Sequence, residues 1–249
     1  MPTGGVHATL GRMTTFALVH GAWHGAWCFE ALRTALASHG HDSVAVDLPC
    51  DDADAGCEAY ADRVADTITG DGHTVVVGHS LGGLSIPLVA ERVPIRGLVY
   101  LAALLPRIGS SLRDQIRDTD PPPVIQELLD LEYDEWERHY WPRFTSAQTA
   151  FYRDCDPVDA EAAYAELRHQ GTRPMTEPFP LDHMPDVPCA YIVCSRDNNV
   201  SPQWGRQAAR ERLGVVPVEL ASDHSPMLSH PAELAGLLVE LADQFPRHS

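Results

Sequence analysis

In Gly78-His79-Ser80-Leu81-Gly82 a serine sits between two glycines, each two residues away, and this spacing suits covalent chemistry. The segment follows the β-branched run Thr74-Val75-Val76-Val77 and precedes Leu84, Leu88 and Val89 at helical spacing. A strand that turns this sharply into a helix leaves no room for a Cβ at the flanking positions. It also exposes the middle side chain, so Ser80 is expected to be a nucleophile. A serine hydroxyl attacks only when a base takes its proton, and the base must itself be held. His224, in Ala221-Ser222-Asp223-His224-Ser225-Pro226, follows one expected strand, and Asp197, in Ser195-Arg196-Asp197-Asn198, follows another. Both sit at the C-terminal ends of their strands, the edge that also carries Ser80. Of the 13 histidines, only His224 has this placement, just before the final helix. Asp223 is also an acid of the right type, but as the immediate neighbour of His224 it would struggle to reach the far side of the ring. Asp197, from a separate loop, is the expected partner.

An oxyanion formed by such an attack needs two backbone N–H donors. Leu81, directly after the serine, supplies one. The loop His20-Gly21-Ala22-Trp23-His24-Gly25-Ala26-Trp27 after the first strand supplies the other through Ala22, with Gly21 allowing close approach. His20 and His24 are four residues apart, as in a helical metal pair, but the intervening glycine and the loop context argue against a metal, and no third ligand is evident. With no nucleotide fingerprint or phosphate loop either, no cofactor is expected.

These groups must be positioned by the elements around them. Six short apolar runs, at 16–19, 43–46, 74–77, 97–101, 190–194 and 216–220, read as strands. Helical patterns at 28–38, 58–69, 81–92, 202–213 and 231–244 alternate with them. Near-continuous apolar strands separated by helices imply a doubly wound, mostly parallel α/β sheet of about six strands, buried on both faces. In the last helix Leu234, Leu237, Leu238 and Leu241 mark one face and Pro231 suits the first turn. Pro87 is expected to kink the helix after Ser80. Between 105 and 188 the rhythm stops and the chain turns rich in proline, acids and aromatics. This stretch reads as a helical cap inserted in a core formed by 14–104 and 189–249, with 1–13 as an N-terminal tail. Leu128, Leu129, Trp136 and Tyr140 of the cap are expected to face the sheet's C-terminal edge, where open α/β sheets bind ligands. Trp23 and Met227 are expected in the same pocket.

Length and composition bound the reading. The 249 residues suit one large domain with an insertion. A net charge of −17, from 35 acidic and 18 basic residues, disfavours nucleic acid and anionic membrane surfaces and suits a small neutral substrate. The six cysteines form no Cys-x-x-Cys pair and are expected to be free thiols, with Cys194 a small buried hydrophobe. No apolar run is long enough for a membrane span and no secretory segment is evident, so a cytoplasmic location is expected.

The chain resembles the α/β-hydrolase superfamily from Phe16 to Phe245, and more narrowly the branch of plant methyl esterases, hydroxynitrile lyases and bacterial pyrethroid-type carboxylesterases. The segments that carry the resemblance are Leu18 to Trp27, Gly78-His79-Ser80-Leu81-Gly82-Gly83, Cys194-Ser195-Arg196-Asp197 and Asp223-His224-Ser225-Pro226-Met227. The resemblance implies a triad of Ser80, Asp197 and His224, oxyanion donors Ala22 and Leu81, and His79 as a pocket residue. It supports a serine carboxylesterase working through an acyl-enzyme, while the aromatic-rich 105–188 segment itself suggests a small, apolar or aromatic ester. The alternatives are a hydroxynitrile lyase or other carbon–carbon bond-cleaving enzyme, and a low-turnover ligand receptor. Plant lyases of the branch carry threonine where this chain has Gly21, and lysine where it has Ser225, so the esterase pattern is the better match. The 105–188 segment carries no motif of the family, so the substrate is not implied.

Overall fold

The computed structural model describes residues 13–125 and 130–246. The expected tail up to residue 12, and Leu128 and Leu129, lie outside these described residues. The core is a six-stranded sheet in which every pairing is parallel: β1 (Thr15–Val19), β2 (Asp42–Val46), β3 (Thr74–His79), β4 (Gly97–Leu101), β7 (Cys189–Cys194) and β8 (Val218–Leu220), ordered β2-β1-β3-β4-β7-β8. Side chains alternate across it as the pleat requires. Phe16, Leu18, Val75, Val77, Val99 and Ile192 pack under α1 (Glu30–Ser38) and α10 (Pro231–Gln244). Ala17, Val19, Val76, Leu98, Tyr100 and Val193 pack on the opposite face, with α2 (Cys57–Ala65), α3 (Ile86–Ala90) and α8 (Pro202–Ala208).

Burial on both faces holds for the four central strands, not for all six. Edge strand β2 is exposed or half-buried along most of its length, and β8 begins only at Val218. Pro217 has no N–H for the ladder, and Val216 before it is 80% exposed. The helix expected over 81–92 is two pieces, a 3-10 turn over Ser80–Leu84 and then α3. Pro87 therefore lies in the first turn of α3, where its missing N–H costs nothing, and does not kink a continuous helix. All six cysteines are free, and Cys194 is buried as expected.

Between β4 and β7 the chain makes an excursion that is less helical than the sequence suggests. It holds α4 (Leu112–Asp118), an antiparallel pair of short strands, β5 (Glu132–Tyr133) and β6 (His139–Tyr140), then α5 (Phe144–Phe151), α6 (Pro157–Ala165) and α7 (Arg173–Thr176). Among the described residues, no helix is long and apolar enough to cross a membrane.

The strand order turns one element into a positioning device. From β1 the chain moves outward to β2, then returns across β1 to β3 and continues the other way, so the crevice between the ends of β1 and β3 is a topological switch point. The parallel register sets Val19 against Gly78, which brings the loop after β1 beside the turn after β3. Further along the sheet, Gly97 opens β4 where a Cβ would lie 2.5 Å from the Phe245 ring and 2.8 Å from the Pro188 carbonyl oxygen. Gly97→Ala is expected to destabilise the fold by about 1–3 kcal/mol through overpacking, read as a lower urea midpoint at unchanged m-value.

Candidate active site

Ser80 has φ of +52°, the left-handed region that an L-residue occupies only under constraint. The constraint comes from tight packing on all sides. A Cβ on Gly78 would meet Ile86 at 2.9 Å, one on Gly82 would meet the His20 carbonyl oxygen at 2.8 Å, and one on Gly83 would meet the Leu104 carbonyl oxygen. A Cβ on Gly21, across the switch point, would lie 2.7 Å from Ser80 Cβ and 3.2 Å from its Oγ.

The two amides proposed from sequence as oxyanion donors are aimed by bonds on the far side of their own peptide planes. In a trans peptide, the carbonyl of one residue and the N–H of the next point in opposite directions. His20 Nδ1–H donates to the Gly21 carbonyl at 2.8 Å, which orients the Ala22 N–H the other way. The Leu104 N–H donates to the Ser80 carbonyl at 2.9 Å, which does the same for the Leu81 N–H. Both Ala22 and Leu81 line a cavity of about 430 Å3 whose wall also includes Ser80 and Trp23.

The buried histidines around this loop are neutral, and their partners assign the proton. His20 Nε2 accepts from the Leu48 N–H at 3.0 Å, leaving the proton on Nδ1. His24 Nδ1–H donates to the Ala22 carbonyl at 2.8 Å while Nε2 accepts from the Tyr152 hydroxyl at 2.8 Å. Neither ring has a nitrogen free for a metal. Among the described residues no group of three or more His, Cys, Asp or Glu is placed to hold one.

His224 and Asp197 meet from separate loops. His224 Nδ1 lies 2.7 Å from Asp197 Oδ2, and both residues are buried. Asp197 Oδ1 accepts the amides of Asn199 (2.7 Å) and Val200 (3.0 Å), so the carboxylate cannot rotate away. This pairing keeps the ring proton on Nδ1 and leaves Nε2 as a base. Asp223 is engaged elsewhere: its carboxylate accepts the amides of Asp154 and Ser225. Burial also pushes the Asp223 carboxyl above the ordinary carboxylate range.

The remaining expected pocket residues are scattered. His79 lies behind the cavity wall, fully buried, its Nε2–H donating to the His224 carbonyl at 2.8 Å and its ring 4.7 Å from that of His224. It supports the His224 loop and does not line the pocket. Trp136 is 60% exposed, with the Arg138 guanidinium 4.8 Å from its ring centre, because the β5–β6 turn projects it into solvent. Tyr140 stacks on His169 at 4.7 Å and donates to Glu132. Met227, in the short helix α9 (Pro226–Ser229), is wholly buried in the core beneath the sheet, on the face covered by α1 and α10.

The walls come mostly from residues that carry no motif, among them Leu112, Ile116, Val124, Leu131 and Met175. Sequence reasoning also missed how the excursion fastens the first loop. Trp23 has φ of +63°, held by Arg168 N–H donating to its carbonyl at 2.7 Å and by its indole Nε1–H donating to His139 Nδ1 at 3.0 Å. Asp154 closes the other end by accepting the Asp223 amide at 2.8 Å.

The family description "Alpha/beta hydrolase family" matches residues 16–237. Methylesterase 3 of Arabidopsis thaliana is 30% identical, with 94% of this chain and 98% of that protein covered. Salicylic acid-binding protein 2 of Nicotiana tabacum is 27% identical over 92% of this chain and 97% of its own. Among solved structures, a pyrethroid hydrolase from Sphingobium faniae JZ-2 superposes with a TM-score of 0.78 at 27% identity, covering 93% of this chain and 98% of that one.

Burial lowers the pKa of His20 to about 4, of His24 to about 3, and of His79 well below its ordinary value. Between about pH 4 and 6.5 the unfolded chain therefore binds protons that the folded chain refuses, and stability falls as pH falls. At pH 5 the His20 and His24 rings are each expected to cost roughly 2 kcal/mol relative to pH 7.5, with His79 acting in the same direction and Asp223 opposing in part near its own titration. Urea unfolding at the two pH values measures it, and equal free energies would show that the rings protonate within the fold.

Proposed function

This chain belongs to the alpha/beta hydrolase family and is a carboxylic ester hydrolase, and we propose that it works as a serine esterase through Ser80, His224 and Asp197. The observation that carries the reading is the 2.7 Å contact between His224 Nδ1 and Asp197 Oδ2. It comes with a strained serine on the cavity wall and with Ala22 and Leu81 lining the same cavity, their peptide planes held through the preceding carbonyls.

In this reading His224 Nε2 takes the Ser80 proton as Oγ attacks the ester carbonyl, and the Ala22 and Leu81 amides receive the oxyanion. Because the partner carbonyls already hold those peptide planes, no reorganisation is needed as charge develops. Collapse of the tetrahedral intermediate expels the alcohol with the proton from His224. Water, deprotonated by the same ring, then frees the acid and restores Ser80. The excursion between β4 and β7 acts as a cap that supplies the apolar wall, which suits a small apolar or aromatic ester. The lyase alternative is not favoured: Ser225, buried and bonded to Asp223, stands where the plant lyases carry a lysine.

Hydrolysis of p-nitrophenyl acetate and butyrate tests the mechanism. Ser80→Ala is expected to lower kcat by at least about 10⁴-fold and Asp197→Asn by on the order of 10⁴-fold. Nitrophenolate release that survives Ser80→Ala would reject the assignment. Gly21→Ala is expected to cost about 100-fold in kcat/KM by pushing the first loop off Ser80, without unfolding the protein in a thermal melt.

A further inference from the structure

Four consecutive residues of the excursion, Phe151 to Asp154 at the C-terminal end of α5, reach three loops of the sheet edge. The Phe151 ring lies 5.6 Å from that of His224, centre to centre, and the Tyr152 hydroxyl donates to His24 Nε2 at 2.8 Å. Arg153 donates to the Arg196 carbonyl at 2.7 Å. Asp154 Oδ2 accepts the Asp223 amide at 2.8 Å, and also the Arg196 guanidinium, at 2.7 Å from Nη2 and 3.2 Å from Nε. Asp223 directly precedes His224, and Arg196 directly precedes Asp197. One carboxylate oxygen thus joins the loop after β7 to the loop after β8, one residue before each side chain of the 2.7 Å pair. The bond to Asp223 is returned, since the Asp154 N–H donates to Asp223 Oδ2 at 3.0 Å.

The peptides around His224 show what this oxygen controls. The peptide joining Ser222 to Asp223 is gripped at both ends, its carbonyl by the Arg196 N–H at 2.9 Å and its N–H by Asp154. The peptide joining His224 to Ser225 is gripped likewise, its carbonyl by His79 and its N–H by Asp223 Oδ1 at 3.2 Å. Of these four holds, the one from Asp154 comes from the excursion. Burial works against its charge, yet the Arg196 guanidinium and the Asp223 amide hold the Asp154 carboxyl below the ordinary carboxylate range, so it is a charged acceptor at neutral pH. We propose that Asp154 is a positioning residue for proton transfer, holding the loops after β7 and β8 in the arrangement that keeps His224 Nδ1 on Asp197. Asp154 does not line the cavity and acts through Asp223 and Arg196. The proposal rests on the reading of Ser80, His224 and Asp197 as a triad. A displaced base slows each step in which it moves a proton, acylation and deacylation alike, so the loss falls on kcat while KM holds.

Hydrolysis of p-nitrophenyl butyrate by a set of variants tests it, with a thermal melt of each to establish folding. Asp154→Ala is expected to lower kcat about 30-fold with KM within about threefold of the wild type. Asp154→Asn keeps an acceptor oxygen for the Asp223 amide and is expected to hold kcat within about fivefold. The double variant separates positioning from mere anchoring. Asp197→Asn already removes the partner that holds the His224 ring, so adding Asp154→Ala to it is expected to lower kcat by less than about threefold.

A merely structural anchor costs the same factor in both backgrounds. Equal factors, a kcat of folded Asp154→Ala within about threefold of the wild type, or a raised KM at unchanged kcat would each overturn the proposal. If Asp154→Ala fails to fold, Arg196→Gln takes its place in the same cycle, because it frees only the guanidinium arm. Its expected loss is about fivefold in the wild-type background and close to none in Asp197→Asn. Hydrolysis that Asp197→Asn leaves unchanged would instead overturn the triad on which the proposal rests, and no hydrolysis by the wild type would overturn the esterase reading.

Discussion

The parallel pairing of β1 with β3, in the register that sets Val19 against Gly78, is the constraint from which the site follows. It places two chain reversals side by side at the one crevice where the strand order changes direction. Everything that must be close there is close because no Cβ intervenes. Gly21 against Ser80, Gly82 against the end of β1 and Gly83 against Leu104 are contacts at which an added carbon would collide. The strained φ of Ser80 is stable only because these contacts leave the turn no wider path.

The same crevice explains why three further buried histidines, His20, His24 and His79, cluster near His224, the one proposed for proton transfer. An amide pointed into a cavity must be held there without spending its own hydrogen, and the hold must come through the preceding carbonyl. His20 supplies that hold on the Ala22 amide through the Gly21 carbonyl, and His24 fixes the next peptide through the Ala22 carbonyl, because a neutral imidazole both donates and accepts. Each ring can thus be anchored on its other side, by Leu48 and Tyr152 respectively. A lysine or arginine in these positions would carry a charge into a dry interior. Neutrality is thus part of the design, and it makes the fold sensitive to acid before the carboxylates titrate.

The excursion between β4 and β7 is joined to the loops after β1 and β8 by polar contacts as well as by apolar packing. Arg168 and His139 hold Trp23, while Asp154 ties to the Asp223 loop. These bonds join residues more than 60 positions apart, and they couple the shape of the cavity to the conformation of the loop beside the serine. Substitutions in this excursion that reach Trp23 are therefore expected to act on turnover as well as on substrate choice.

The elements of the sheet and the motif residues were legible in the sequence because each rests on local chemistry. The β-branched runs form strands, the glycines permit one sharp turn, and chain position sets which loops share an edge. That logic reached the central strands, Ser80, His224, Asp197, Ala22 and Leu81 by position. It misread Pro87, whose place in a first turn depends on where the 3-10 segment ends, and extended full burial to edge strand β2. The pocket wall was not legible: Trp136 and Tyr140 belong by composition to an aromatic-rich segment, yet the β5–β6 pairing turns Trp136 to solvent and Tyr140 onto His169. His139 and Asn199 carry no motif and acquire their place only when distant segments pack, one through Trp23 and the other through Asp197. Sequence alone determined the sheet and which side chains stand along its edge, since both follow from neighbouring residues. Only the tertiary structure decided what fills the space above that edge, since cavity shape depends on contacts between segments that no local pattern records.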